Sequence, residues 1–111
     1  MQIEIDDHVV VLELEPNKTT ELLRKTAPFT IKMDDLHGNE KFHYFEQSFP
    51  VDPKLVRLIE AGDVMMYQNN CLVIFYETLK PTTRYTRIGK IKDVEQLLPR
   101  LGHGSVEVRF F

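Results

Sequence analysis

The sequence predicts a mainly β protein: a closed, eight-stranded antiparallel barrel with two short capping helices. Three observations carry this. Apolar and polar residues alternate in short runs along most of the chain, turn-forming residues separate those runs, and no helix follows each strand as a parallel βαβ sheet requires. A chain of 111 residues suits a single domain, 1–111, that buries roughly 60–70% of its unfolded surface around one core.

The elements follow in order. Ile3 and Ile5 alternate with Gln2, Glu4 and Asp6, and after Asp6-Asp7-His8 the alternation resumes at Val9, Val11 and Leu12-Glu13-Leu14-Glu15, which reads as a hairpin. Pro16-Asn17-Lys18-Thr19 breaks it. Glu21, placed near the positive end of a helix dipole, and Leu22-Leu23 then predict a short helix that Pro28 cannot continue. Phe29, Ile31 and Met33 mark a third strand, and Asp34 to Asn39 supply turn formers before Phe42-His43-Tyr44-Phe45, a second hairpin. Pro50 and Pro53 punctuate an irregular stretch in which one helical turn is expected through Leu55-Val56-Arg57-Leu58-Ile59. Val64-Met65-Met66-Tyr67, the turn Gln68-Asn69-Asn70 and the unbroken run Cys71 to Tyr76 form the clearest strand pair, and the run predicts a strand buried on both faces. Tyr85 to Ile91 is strand-like. Asp93 and Gln96 have capping-box spacing before a last helix carrying Val94, Leu97 and Leu98, with Pro99 late in it. Gly102 and Gly104 turn the chain into a closing strand of Val106, Val108 and Phe110.

Composition narrows the function classes. The chain has 42% hydrophobic and 28% charged residues, which is a globular balance. Fourteen basic residues are scattered against 17 acidic ones, for a net charge of −3, so neither nucleic acid nor an anionic membrane is the expected partner. Cys71 is the single cysteine, which excludes an intramolecular disulfide framework and any multi-cysteine zinc motif. The N-terminal residues lack a basic segment followed by an apolar one, and no run approaches a membrane span, so a cytoplasmic protein is expected.

The order of elements resembles the cyclophilin-like superfamily, whose members have an eight-stranded barrel capped by two helices. Val10-Val11-Leu12-Glu13-Leu14 running into Lys18-Thr19-Thr20-Glu21-Leu22-Leu23 looks like the second strand and first helix of a cyclophilin. Cys71 to Pro81 is similar to the family's strand and Thr-rich exit loop, and Ile88-Gly89-Lys90-Ile91 resembles its Phe-Gly-Lys-Val strand. The compact length, with Gly62-Asp63-Val64, Gln68-Asn69-Asn70 and Ile74-Phe75-Tyr76, looks more like the small prokaryotic cyclophilin-like proteins. Glu77 stands where those relatives often have Gly.

The resemblance implies where prolyl isomerase chemistry would sit. Rotation about an Xaa-Pro bond faces a barrier of ~20 kcal/mol, so an isomerase must prefer the twisted amide and not merely bind proline. The family's Arg position falls near Ile31 or Lys32, its pocket Gln at Leu72, its pocket Phe at Ile74 and its His at Tyr85, and the chain has no Trp. A Lys point charge does not reproduce a planar fork of donors. No residue is therefore assigned a catalytic role.

Other constellations are weaker. His37-x-x-Glu40-x-x-His43 has residue types that bind zinc but spans an expected turn, and His103 between two glycines reads as a loop residue, so no metal and no cofactor are expected. Asp34-Asp35 could form a carboxylate pair with one raised pKa, although turn formation accounts for both. Cys71 reads as a buried hydrophobe, and Arg84, Arg87, Lys90 and Lys92 as a solvated basic face.

The expected function is a non-catalytic binding module that holds a small ligand or a peptide segment in a groove on the barrel wall. Phe42, Tyr44, Tyr67 and Tyr85 would supply apolar contact there and Lys32 an orienting charge. Two alternatives stand beside it. One is a divergent prolyl isomerase in which Lys32 or a Tyr hydroxyl replaces the Arg. The other is a structural or assembly protein whose Val106 to Phe111 edge pairs between subunits.

Overall fold

The computed structural model describes residues 1–102 and 104–111, so the expectation for His103 lies outside the described residues. Its strands are β1 (Gln2–Ile5), β2 (His8–Leu14), β3 (Phe29–Leu36), β4 (Glu40–Tyr44), β5 (Lys54–Leu55), β6 (Asp63–Tyr67), β7 (Cys71–Phe75), β8 (Arg84–Ile91) and β9 (Val106–Phe110). Helix α1 spans Lys18–Thr26, and a 3₁₀ turn, Val94–Gln96, precedes helix α2, Leu98–Leu101. Strands run in the order β2-β1-β9-β3-β4-β7-β6-β8, and pairing of β8 with β2 closes the ring, leaving β5 as a short addition to β8. Every pairing is antiparallel. This is the closed eight-stranded barrel with one extra strand.

Closure depends on a close backbone approach. Leu14 pairs with Gly89, and a Cβ on Gly89 would stand 2.0 Å from the Glu13 carbonyl oxygen, so only glycine fits there. Helix α1 starts where Asn17 leaves the extended chain: its side chain accepts from the Thr20 N–H at 2.8 Å, while the Asn17 N–H donates to Thr20 Oγ1 at 3.2 Å. Alternate residues then fill the barrel. Ile3, Ile5, Leu12, Met33, Val64, Met66, Leu72, Ile74, Ile88, Val108 and Phe110 are buried in one core, joined by Leu23 of α1 and by Leu97 and Leu101. Each such side chain contributes roughly 1.5–3 kcal/mol by leaving water.

Several local expectations are corrected. Asp34 and Asp35 belong to β3 itself, and the reversal falls on His37 and Gly38, whose φ values are 55° and 66°. Residues 55–59 form no helical turn: Lys54 and Leu55 pair with Tyr85 and Arg84, and Ile59 bridges to Leu79, because the β8 edge offers hydrogen bonds that a lone turn lacks. Asp93 is left-handed, with φ 55°, and makes no side-chain cap, so the spacing to Gln96 is not a capping box. Pro99 lies in the first turn of α2, where its missing N–H costs nothing, and not late in a helix. Strand β9 is hydrogen-bonded to β1 on one side and β3 on the other, so the edge expected to pair between subunits is already occupied. Glu77 has no left-handed φ, and its place needs no glycine. Strand β7 is buried along its whole length, as the unbroken apolar run predicts. Among the described residues no helix is long and apolar enough to cross a membrane.

Candidate functional site

Residues facing outward on the β4-β7-β6-β8 wall form a second, separate apolar layer. Register builds it in rungs: Tyr44, Cys71 and Tyr67 share one, and Phe42, Val73, Met65 and Arg87 the next. Glu40 pairs with Phe75 beyond them. Val56, Ile59 and Leu79, from the segments joined by the 59–79 bridge, cover part of this wall and bury Phe75 and Met65 fully. The rest stays open. Tyr44 is 53% exposed, Phe42 and Tyr67 are half-buried, and Tyr85 is buried beneath the cover.

Four of the five expected groove residues thus lie on one face. Phe42 and Tyr44 meet edge to face with centroids 6.0 Å apart, and Tyr67 and Tyr85 are 5.9 Å apart. Tyr85 also packs edge-on to Phe75 at 5.6 Å. Lys32 stands apart from this cluster, with its side chain 72% exposed and its ammonium 3.9 Å from Asp34. It marks the β3 rim, since Asp34, two residues on along the same face, pairs with Phe42.

Desolvation sets the electrostatics of the wall. Burial, with the Glu40 carboxylate next in weight, pushes the Tyr85 hydroxyl up to about 12, and burial likewise pushes the Cys71 thiol up to about 11. The Cys71 thiol beside Tyr44 raises the Tyr44 hydroxyl above its ordinary value. Cys71 is therefore a protonated, buried side chain at neutral pH, as its sequence context predicts. Glu40 is itself raised by desolvation, opposed by His37.

The remaining constellations do not assemble. Glu40 and His43 are three residues apart on β4 and face opposite ways, and the His43 Nδ1 lies 3.0 Å from the Lys32 carbonyl. Among the described residues no group of three potential ligands could hold a metal ion. Asp34 and Asp35 also point to opposite faces, so they form no carboxylate pair. Asp35 turns inward to Lys41 and Tyr76, and these two hydrogen bonds, the Lys41 one foremost, hold its carboxyl at about 2, the opposite of the raised value considered from sequence. The basic cluster disperses: Lys90 meets Glu60 and Asp63, and Lys92 meets Glu13.

The positions matched to isomerase residues divide by face. Ile31, Leu72 and Ile74 point into the barrel core, so β7 presents Cys71, Val73 and Phe75 to the wall instead. Lys32 and Tyr85 are the outward members of that set.

Sequence reasoning missed a cleft of 590 Å³ beside the wall, between the β2–α1 turn and residues 50–56. Tyr85, Thr86 and Arg87 form its floor, with Leu55 and Thr19 at its sides. The Thr19 hydroxyl donates to the Pro50 carbonyl and the Asp52 N–H donates to Thr86 Oγ1 at 3.1 Å, which ties the 50s segment across the cleft. Nothing local signals this site, because it depends on contacts 31 and 34 residues apart in sequence.

No curated protein and no solved structure matches the sequence. The cyclophilin-like family does match, over residues 3–111, nearly the whole chain. The chain belongs to the cyclophilin-like family.

Proposed function

We propose that this protein is a non-catalytic binding module that takes a peptide segment across the open aromatic part of the barrel wall. The observation that carries the reading is the exposure of Tyr44, 53%, in a row with half-buried Phe42 and Tyr67. An aromatic left half in water on a rigid strand is the kind of surface that gains by stacking on a proline or another apolar side chain. In this reading the exposed Lys32 ammonium, on the outward side of β3, orients a peptide carbonyl or carboxylate. Binding without isomerisation fits the matched position: Lys32 brings an ammonium where family isomerases direct a guanidinium fork at the amide. A buried, unpaired Cys71 accords with a cytoplasmic location.

The test is an amide NMR titration of labelled protein with an Ala-Pro-containing peptide, with cis/trans exchange of the peptide followed on the same samples. Shifts at Phe42, Tyr44 and Tyr67 without faster exchange are the expected result. Accelerated exchange abolished by Lys32→Ala would replace this reading with the isomerase one, and unshifted spectra would reject a peptide groove.

A further inference from the structure

The same outward face of β4 that carries Tyr44 and Phe42 ends in Glu40, whose carboxylate no part of the groove reading uses. Glu40 is half-buried and pairs in register with the fully buried Phe75. Among the described residues its side chain accepts no hydrogen bond, and the charge that opposes its desolvation is that of His37. Its charge reaches along the wall, since it raises both the Tyr85 hydroxyl and the Cys71 thiol. A carboxylate that has lost part of its water without gaining a partner is unfavourable until a cation arrives, and electron-rich aromatic rings beside it reward the same cation.

Resting on the peptide-groove reading above, we propose that the bound peptide carries a cationic side chain, arginine above lysine, seated against Glu40 at the far end of the Tyr44-Phe42 row. The geometry fits a short segment. Tyr44 and Glu40 are four residues apart on one strand, about 13 Å, which an extended peptide spans with about four residues. Charge is complementary along that length. Lys32 and Asp34 stand 3.9 Å apart near Tyr44 and Phe42, whereas Glu40 has no ion-pair partner among the described residues and only the charge of His37 offsets its desolvation. Arginine is favoured because its planar guanidinium can pair with the carboxylate while lying over a ring.

Two peptides decide it: N-acetyl-Ala-Ala-Pro-Arg amide and the same peptide with norleucine in place of arginine, each titrated into the wild-type protein and into Glu40→Gln. The arginine peptide is expected to bind the wild type on the order of ten-fold more tightly, with the preference erased in Glu40→Gln and reduced by salt. Equal binding of both peptides to the wild type overturns the cation assignment while leaving the groove intact. An arginine preference that persists in Glu40→Gln overturns Glu40 as its source. No binding of either peptide overturns the groove and this inference with it. The wild-type comparison needs no variant and decides the matter even if Glu40→Gln folds poorly.

Discussion

The Lys41 ammonium lies 2.8 Å from the Asp35 carboxylate, with the lysine side chain wholly buried and the aspartate side chain 30% exposed. Lys41 shares the inward face of β4 with the barrel core, and the Tyr76 ring stands 5.1 Å from its nitrogen. Tyr76 donates its hydroxyl to the same carboxylate oxygen, and the Gly38 N–H donates to the other at 3.0 Å. A charge buried this way is tolerated only while its partner stays.

Removing the partly exposed partner is therefore worse than removing the buried one, because an orphaned Asp35 keeps water and the Tyr76 and Gly38 donors whereas an orphaned Lys41 keeps neither. Asp35→Ala leaves the Lys41 ammonium buried and unpaired, and is expected to cost about 3 kcal/mol. Lys41→Met fills the same space without a charge but strips Asp35 of its main partner, and should cost about 1–2 kcal/mol, less than Asp35→Ala because the carboxylate left behind is partly in water. Urea unfolding of both variants checks the order: Lys41→Met as damaging as Asp35→Ala would contradict it.

The same trio sets the pH range of stability. Asp35 is held at about 2 in the folded protein, below its ordinary 3.8, so its contribution is complete above about pH 4 and is lost as pH falls towards 2. Tyr76 is raised above its ordinary 10.0, first by burial and then by Asp35, so the protonated phenol is the form the fold favours. Its contribution is complete below about pH 10 and declines as pH rises beyond that. Cys71, raised by burial from its ordinary 9.0, begins the same basic decline earlier, so thermal melts from pH 2 to 11 should show a plateau from about pH 4 to about pH 9. Asp35→Asn should flatten the acid limb, and an unchanged limb would show that Asp35 is not its source.

Alternation made the barrel legible: Ile3 and Ile5, or Ile31 and Met33, announce an inward face locally. The Cys71 to Tyr76 run announces burial but not direction, because a run without polar residues carries no period of two. The matched positions Leu72 and Ile74 consequently fell in the core and their neighbours on the wall. Phe42, Tyr44, Tyr67 and Tyr85 are legible as a set because each falls in a strand-like run whose turn formers mark its ends. Lys41 was missed for the opposite reason: a lysine between Glu40 and Phe42 reads as solvent-facing until the barrel curls around it. The β5 pairing and the cleft above β8 depend on partners far along the chain, which no local pattern encodes.

Gly89 is a test of closure. Its missing Cβ admits the Glu13 carbonyl oxygen, and the atom that would be struck is backbone, which cannot swing aside as a side chain can. Gly89→Ala should push β2 from β8 along the Leu12–Ile91 to Leu14–Gly89 ladder and cost at least about 2 kcal/mol. Hydrogen exchange should quicken first in β2 and β8. Exchange unchanged there, in a variant of full stability, would mean that the seam accommodates the methyl group.

Tyr44 and Tyr85 separate binding from folding. Tyr44 is half in water and meets the wall through the Phe42 ring edge and the Cys71 thiol, so Tyr44→Ala should cost stability no more than about 0.5–1 kcal/mol. Tyr85 is buried against Phe75 and Tyr67, and Tyr85→Ala should cost about 3 kcal/mol through the cavity it leaves. If the row is the peptide surface, the milder change does the greater harm to function: Tyr44→Ala should weaken binding of the Ala-Pro peptide by about ten-fold, as loss of an exposed aromatic anchor does. Paired melts and titrations on the two variants give the answer, and a Tyr44→Ala protein that binds as the wild type does would remove Tyr44 from the groove.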